Sequence, residues 1–458
     1  MSAAFIREQT LAPRPAPFAA TGVKAWVGQR LFATPRDIAM TMIGFAAFVL
    51  LAMPLIRFLF LDAVWQGANR DACAHILTGA CWPFVAAKFN QFIYGFYPAD
   101  QLWRPNIVFA LGAILLVPLA IPSAPLKRLN AFLFLVVYPV ASFVLLTGGN
   151  LDPEHFILGY FIRLEDHVDL VWHGMRAAFW LDYTFSSLVL SLAVALIGWL
   201  FGTPLSTSLK VMVGFFALLA LVIAPADADF GLSSVETREW GGLLVTLVVA
   251  VTGIVAALPI GILLALGRRS EMLLVRWASV AFIEFWRGVP LITVLFFATY
   301  MLPLFLPGGA NIERLVRALI GVALFSGAYM AEVVRGGLAA VPKGQYESAA
   351  ALGLGYWQTM LLIVLPQALT NVIPGIVNNF IGLFKDTTLV QIVAILDLLG
   401  QIRSAFSDPN WASPTTLYTG FAFAGAIYFA FCFAMSRYSL FLERRAGASQ
   451  LRMEANRT

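Results

Sequence analysis

This sequence has unusually few charged residues. Of its 458 residues only 12% are charged, whereas 60% are hydrophobic, and a soluble domain ordinarily carries about 25% charged residues. The charge is missing from long apolar runs, and a helix needs about 20 mostly apolar residues to cross a bilayer. The composition therefore excludes a single soluble domain and predicts an all-α integral membrane protein in a lipid bilayer. We expect no cleavable signal peptide, because the first 35 residues are polar, basic and rich in proline.

Catalytic and nucleotide-binding motifs are also missing. The chain contains no G-x-x-x-x-G-K-[ST] phosphate loop, no H-E-x-x-H pair and no nucleophile elbow. We therefore expect a chain that is not an enzyme and binds no cofactor or metal of its own. His155, His167 and His173 share one loop but lack a ligand spacing backed by cysteine or carboxylate geometry, so we interpret them as surface residues. Basic residues occur in short clusters beside apolar runs, which does not favour nucleic-acid binding.

Cysteine is scarce as well. Cys73 and Cys81 share a hydrophilic loop, and Cys432 lies in an apolar run. If that loop is external, its oxidising surroundings permit a disulfide between Cys73 and Cys81. Two unpaired thiols are the alternative, and the sequence leaves both open. A metal site that uses His75 needs more ligands than this spacing supplies.

Ten apolar segments can be read along the chain. They lie at about 38–61, 105–124, 129–147, 178–201, 208–224, 242–266, 275–306, 314–337, 369–395 and 415–440. Cytoplasmic loops are enriched in Lys and Arg, and such residues cluster in the N-terminal tail, at 127–128, at 268–276 and at 437–445, whereas 225–241 is mostly acidic. About ten spans with cytoplasmic N- and C-termini satisfy all these signs together.

The character of the segments divides the chain into four parts. We predict a cytoplasmic tail at 1–37, an accessory membrane region at 38–224, a core at 225–445 and a second cytoplasmic tail at 446–458. The accessory region has about five spans and two external loops, at 62–104 and 148–177. Every motif described below falls in the core.

One segment between two core spans has the composition of a docking helix. Gln345–Leu352 has strong helical propensity, and Gly353 or Gly355 can supply the left-handed turn that ends it. Small residues from Ser348 to Ala351 let another protein approach closely. The segment resembles the ATPase-coupling loop of ABC-importer permeases, written E-A-A, three residues, G, nine residues, I-x-L-P. The matching positions are Glu347, Ser348 (for Ala), Ala349, Gly353, Ile363, Leu365 and Pro366, with Gln345 beside them, in a loop at 342–371.

Three further motifs narrow the resemblance. Arg287-Gly288-Val289-Pro290-Leu291 resembles the R-G-x-P-L element of polar amino-acid permeases. The stretch 329–337 resembles their Y-x-A-E-x-x-R-G-G element, and 385–389 resembles their K-D-T-S-L element, with Thr388 in place of Ser. Together these cover about 242–440. The chain is thus similar to the histidine/glutamine permease family, and within it to the M-type subunit of general L-amino-acid permeases and to glutamate/glutamine/aspartate/asparagine importers.

The resemblance implies a fold, partners and a mechanism. The fold would be a five-helix type I ABC-importer core with an N-terminal helical extension, in a bacterial inner membrane. The partners would be two ATPase subunits that hold ATP and Mg, a second homologous permease chain and a periplasmic amino-acid-binding protein. The complex would import polar, acidic, amide or broad-range L-amino acids by alternating access. A secondary transporter or channel without an ATPase is the alternative.

Charged residues at membrane depth are costly and usually face a protein interior or a wet path. Glu332 and Arg335, three residues apart on one helix face, form either a clamp for the coupling loop or a simple interfacial pair. Arg287 and Pro290 mark either a broken helix that faces the substrate or a packing kink. Lys385, Asp386, Thr387 and Thr388 either line the substrate path or fix the geometry of the span.

Overall fold

The computed structural model describes residues 22–74, 78–121, 123–149, 171–172, 175–200, 204–305 and 312–455. His75, His155, His167, His173 and most of the predicted loop 148–177 lie outside the described residues. Within this part of the chain the structure is almost entirely helical. The exception is a short antiparallel pair of strands, Val171–Trp172 and Met175–Arg176.

Eleven described helices and helical turns, two of them continued by π-helices, precede residue 242. They are Val23–Leu31, Pro35–Ile56 continued as the π-helix Arg57–Leu61, Asp71–Ala74, Trp82–Ala87, Phe89–Tyr94, the 3-10 turn Ala99–Gln101, Trp103–Ala120, Lys127–Phe132 continued through the π-helix Leu133–Val137 into Tyr138–Thr147, Ala177–Leu200, Leu205–Asp227 and the 3-10 turn Thr237–Glu239.

From residue 242 onward, two pairs of consecutive helices are sharply bent where one helix meets the next. In order they are Gly242–Arg268, Leu273–Gly288, Leu291–Phe296 continued through the π-helix Phe297–Met301 into Leu302–Phe305, Arg314–Ala340, Lys343–Ala351, Tyr356–Thr359 continued through the π-helix Met360–Val364 into Leu365–Asn371, Ile373–Asp386 continued as the 3-10 helix Thr387–Val393, Leu398–Phe406 and Thr416–Ala455.

The prediction of about ten spans is confirmed when each sharply bent pair of helices is counted as one span. Eight described helices are long and apolar enough to cross a membrane, and two bent pairs raise the number to ten. The pairs are Leu273–Gly288 with Leu291–Phe305, bent by 103°, and Tyr356–Asn371 with Ile373–Val393, bent by 63°. They coincide with the predicted seventh and ninth segments.

The described residues form two compact units, and contacts do not divide the chain at residue 224. The first unit contains residues 22–84 and 413–419, and the second contains 85–412 and 420–455. The described residues between 85 and 224, which the sequence places in the accessory region, therefore share a unit with the core.

The first unit is built on an apolar helix that buries none of its residues. Thr34 caps Pro35–Ile56 in a reciprocal pair of hydrogen bonds with Asp37, and no residue of this helix is buried. A disulfide joins Cys73 and Cys81, so the structure has the bridged form of the two that the sequence leaves open.

The second unit centres on a pair of closely packed helices, Gly242–Arg268 and Arg314–Ala340. A Cβ placed on Gly261 would lie 2.6 Å from Cγ of Met330, so the backbones approach as closely as small residues at membrane helix interfaces permit. The start of Gly242–Arg268 and its surroundings are called the Gly242 end below, and its other extremity the Arg268 end.

A separate apolar cluster fills each end of this pair. Around the Gly242 end, core side chains such as Leu244 and Leu315 pack with Tyr97, Val108 and Leu146, which come from the predicted accessory region. The cluster at the Arg268 end includes Met330 and Leu365, and all its buried residues come from positions 257–368. Among the described residues, accessory side chains therefore contribute to the cluster at the Gly242 end and not to the one at the Arg268 end.

Candidate functional site

The predicted coupling segment forms a short helix that ends as the sequence indicates. The helix runs from Lys343 to Ala351 after Pro342. Gly353 has φ +71° and donates its N–H to Ala350 O at 2.9 Å, while Leu354 donates to Ala349 O at 3.1 Å. This pair of bonds is the Schellman arrangement, which needs a residue in the left-handed conformation. Gly353 therefore supplies the predicted turn, and Gly355, with φ −69°, does not.

The helix presents a polar face flanked by apolar residues. Glu347 and Ser348 are exposed, whereas Ala349 is fully buried, so the predicted small-residue surface is divided between an outward face and an inward anchor. Leu352 is 76% exposed and Trp357 is 61% exposed. Such a surface is suited to the groove of a partner protein.

Side-chain hydrogen bonds attach this helix to the spans on either side of it. Gln367 donates from Nε2 to Gln345 Oε1 at 3.1 Å. Arg269 donates from Nη1 to Tyr346 Oη at 3.2 Å and to Leu338 O at 3.3 Å. The helix is therefore bonded directly to Gln367 and Arg269, and through Arg269 it is connected to Leu338.

The I-x-L-P part of the segment begins the next span with a change of helix type. Ile363 lies in the π-helix Met360–Val364, and Leu365–Asn371 follows with Pro366 in its first turn. Proline has no N–H to donate, so it is tolerated where the preceding turn is widened. Leu365 is buried and Pro366 is exposed.

Glu332 is the centre of an ionic network at the Arg268 end. Its side chain is 17% exposed and accepts from Arg268 at 2.8 Å and from Arg335 at 2.8 Å. Arg287 lies 3.9 Å away, and Arg268 also contacts Glu284 at 3.1 Å. The predicted Glu332–Arg335 contact is thus present, within a larger group that joins three helices.

The stretch from Arg287 to Pro290 is a true break between two helices. Leu273–Gly288 ends there, and Pro290 begins the next helix in an extended conformation. The Arg287 guanidinium lies near Glu332 and 5.7 Å from the centre of the Tyr329 ring, at a cation–π distance. The structure thus places Arg287 in the Glu332 network.

The residues Lys385–Thr388 lie in a different polar group. Lys385 is exposed and Asp386 is partly buried. Thr387 is buried, donates to Phe384 O at 2.8 Å and lies 3.4 Å from Tyr428 Oη. Thr388 donates to Lys385 O at 2.9 Å. Both hydroxyl groups therefore satisfy the backbone where the helix becomes 3-10.

The sequence motifs did not identify three residues of the polar groups described above. Arg268 and Arg269 were predicted only to lie in a basic cytoplasmic loop. Asp397 is fully buried and accepts a hydrogen bond from Tyr428 Oη at 3.2 Å. An acidic residue just before a helix is a visible capping signal, but its partner lies 31 residues away.

Comparisons with known proteins identify the class. Residues 257–447 match the family described as the binding-protein-dependent transport system inner membrane component. The chain is 42% identical to the inner membrane amino-acid ABC transporter permease protein YhdY of Escherichia coli strain K12, over 94% of this chain and 95% of that protein. It is also 42% identical to the glutamate/glutamine/aspartate/asparagine transport system permease protein BztC of Rhodobacter capsulatus, over 96% of this chain and 98% of that protein.

A solved structure, described as an amino acid ABC transporter with histidines, matches 44% of this chain and 92% of its own chain, with 29% identity and a TM-score of 0.40.

The chain belongs to the family of amino-acid ABC transporter permeases. It is a multi-pass inner-membrane protein and the transport component of an ABC importer, in which a separate subunit carries the ATPase. The resemblance inferred from its motifs is confirmed.

Proposed function

We propose that this permease imports polar L-amino acids, with acidic residues and their amides foremost, by alternating access. Two ATPase subunits that bind ATP and Mg would drive it, together with a second permease chain and a periplasmic binding protein. The names of the two relatives support an amino-acid substrate, and one of them specifies glutamate, glutamine, aspartate and asparagine.

The coupling helix Lys343–Ala351 is the observation that carries this proposal. It is exposed along Glu347 and Ser348, and its Gly353 turn has a fixed geometry. Arg269 and Gln367 bond it to neighbouring spans. A partner that pulls on this helix therefore acts directly on the membrane core.

The orientation follows from the same helix. An ATPase works in the cytoplasm, so the Arg268 end is cytoplasmic, in agreement with the Arg-rich segment there. The Gly242 end is then external, and both termini of the chain are cytoplasmic.

Two groups of polar residues have different roles in this proposal, one in the transport path and one in coupling. Lys385 and Asp386 offer a cation and an anion to the carboxylate and ammonium of an amino acid. The Glu332 network, which includes Arg287, acts as the clamp between the coupling helix and the spans.

Exchange of two glycines tests the coupling role. Gly353→Val forces a β-branched residue into a left-handed conformation, at a cost of about 1–2 kcal/mol, and should abolish both binding-protein-stimulated ATP hydrolysis and uptake of labelled L-glutamate and L-glutamine. Gly214→Val is the matched control, because Gly214 is exposed within Leu205–Asp227, outside the coupling helix, and a Cβ there has open space around it. Membrane insertion of both variants is verified by immunoblotting.

The alternative function gives opposite results. A secondary transporter would retain uptake in Gly353→Val and after depletion of ATP. Normal uptake under either condition, or purification of the chain without an ATPase, would refute the proposal. Competition by unlabelled amino acids then defines the substrate range.

A further inference from the structure

Residues 85–104, here called the collar, lie against the Gly242 end of the core. Gln91 donates from Nε2 to Gln401 Oε1 at 3.1 Å. Phe96 donates its N–H to Glu239 O at 2.9 Å. These contacts join the collar, which belongs to the predicted accessory region, to the helix Leu398–Phe406 and to the residues just before Gly242.

A salt bridge fixes the far end of that helix to the same collar. Lys88 Nζ lies 2.6 Å from Asp408 Oδ2, and each side chain is only 23% exposed. The hydrogen bond from Lys88, together with the N–H of Asn410, lowers the pKa of Asp408 below the usual value of a carboxyl group. Gln91 and Lys88 thus hold the helix at two points.

The collar is itself anchored by a buried arginine. Arg104 is 1% exposed and donates from Nη1 to Ser233 O at 2.8 Å and from Nη2 to Ser233 Oγ at 3.0 Å. Two donor atoms of Arg104 thus attach the end of the collar to the stretch of chain before Gly242.

The helix held by the collar is connected to the candidate transport path. Asp397 caps it by accepting from the N–H of Gly400 at 2.9 Å, and Leu398 donates its N–H to Thr246 Oγ1 at 3.1 Å. Tyr428 donates to Asp397 and lies near Thr387. A shift of the helix is therefore transmitted through Asp397 and Tyr428 to the Lys385–Thr388 stretch.

The collar and the helix that it contacts differ in whether they belong to the matched family region. The helix Leu398–Phe406 lies inside the matched residues 257–447, and the collar lies outside them. An element outside the matched core thus grips a helix that belongs to that core.

We propose that the collar is a positioning element of the external gate, in which Lys88 and Gln91 hold the helix Leu398–Phe406 in the arrangement that keeps the transport path closed until the binding protein docks. This inference rests on the proposed function, since it assigns the Gly242 end to the external side. The collar and the helix move as one body, and loosening their contact releases the gate.

The test compares ATP hydrolysis with and without the binding protein in the purified full complex. Lys88→Met and Asp408→Asn should each raise hydrolysis in the absence of the binding protein, so that the stimulation ratio falls by about fivefold, the lower range of ordinary allosteric coupling. Gln91→Leu should act in the same direction. The double exchange Lys88→Asp with Asp408→Lys restores an opposite-charge pair and should recover most of the ratio.

Two matched controls remove a charge without touching the contact. Asp100→Asn changes an exposed carboxylate of the collar, and Arg238→Met removes an exposed cation paired with Glu236. Both should keep the wild-type ratio. Thermal unfolding of each complex is measured in parallel.

The remaining outcomes would contradict either the gate inference or the proposed function. Wild-type ratios in Lys88→Met and Asp408→Asn would overturn the gate inference. So would a loss that follows the unfolding temperature and is not recovered by the charge exchange, because it reflects stability alone. A wild-type complex that neither hydrolyses ATP nor takes up L-glutamate or L-glutamine would instead refute the proposed function.

Discussion

The two ends of the core are built in different ways. At the Gly242 end, hydrogen bonds and apolar packing from the collar and the accessory helices cover the core, and side chains such as Gln401 and Asp397 are fully buried. At the Arg268 end the largest polar group is the partly exposed ionic network of Glu332, and the coupling helix keeps Glu347 exposed.

This difference shows which contacts the chain supplies for itself. The Gly242 end is completed from within the chain, by residues more than 300 positions apart such as Gln91 and Gln401. In our proposal the Arg268 end is completed by another subunit. Changes at the Arg268 end should therefore alter communication with the ATPase, and changes at the Gly242 end should alter the response to an external signal.

The largest effect is expected at the centre of the ionic network. Glu332→Gln removes the anion that Arg268 and Arg335 share, in a place where the Glu332 side chain is 17% exposed. Hydrogen bonds to charged groups contribute about 1.5–3 kcal/mol, which sets the expected loss of stability. The purified complex should unfold at a lower temperature and lose uptake. Glu284→Gln is the control, because Glu284 is 56% exposed and exposed pairs contribute below about 1 kcal/mol. Equal effects of the two variants would remove Glu332 from its central position.

The next effect concerns the helix pair that joins the two ends. Gly261→Ala places a methyl group against Met330, and such overpacking costs about 1–3 kcal/mol. The unfolding temperature should fall, while the control Gly425→Ala, where a Cβ has open space, should leave it unchanged. Tolerance of Gly261→Ala would mean that the two helices are less tightly packed than the structure shows.

A smaller effect should appear as a pH dependence of the Gly242 end. Burial raises the pKa of Asp397 to about 6 from 3.8, so its contribution to stability is full below about 4 and is lost as the pH rises through 6. Asp397→Asn keeps a capping oxygen but does not titrate. The difference in unfolding temperature, wild type minus Asp397→Asn, should therefore decrease between pH 4 and pH 7. A difference that increases with pH would show that the protein favours the ionised carboxylate.

The smallest effect is expected at the attachment of the coupling helix. Tyr346→Phe removes one acceptor of Arg269, and a hydrogen bond of this kind contributes about 1 kcal/mol. Stimulated ATP hydrolysis should decrease slightly, with the basal rate unchanged. Tyr356→Phe, which alters an exposed tyrosine, serves as the control. A larger loss than that of Glu332→Gln would reverse the proposed order of the two attachments.

Local features of the sequence predicted much of this molecule. Long apolar runs predicted ten segments because a membrane requires that length and permits little else. The break at Arg287–Pro290 and the turn at Gly353 followed from the backbone properties of glycine and proline. The contact of Glu332 with Arg335 followed from a spacing of three on a helix.

Contacts between distant segments could not be read in this way. The sequence divided the chain at residue 224, but packing places the described residues between 85 and 224 with the core. Thr387 belongs to a motif assigned to the substrate path, and in the structure its hydroxyl donates to the nearby Phe384 O and lies close to Tyr428. The core contacts of the accessory residues and the Tyr428 contact are made with another element, and local patterns carry no information about them.

By itself, then, the sequence determined the membrane fold through the length of its apolar runs, and the permease family and the coupling helix through the resemblance of short local motifs to those of known permeases. Only the tertiary structure decided that Arg268 shares Glu332, that Asp397 meets Tyr428, and that Lys88 reaches Asp408. The reason is physical: a buried charge or hydroxyl group must find a partner, and which partner it finds depends on how the helices pack.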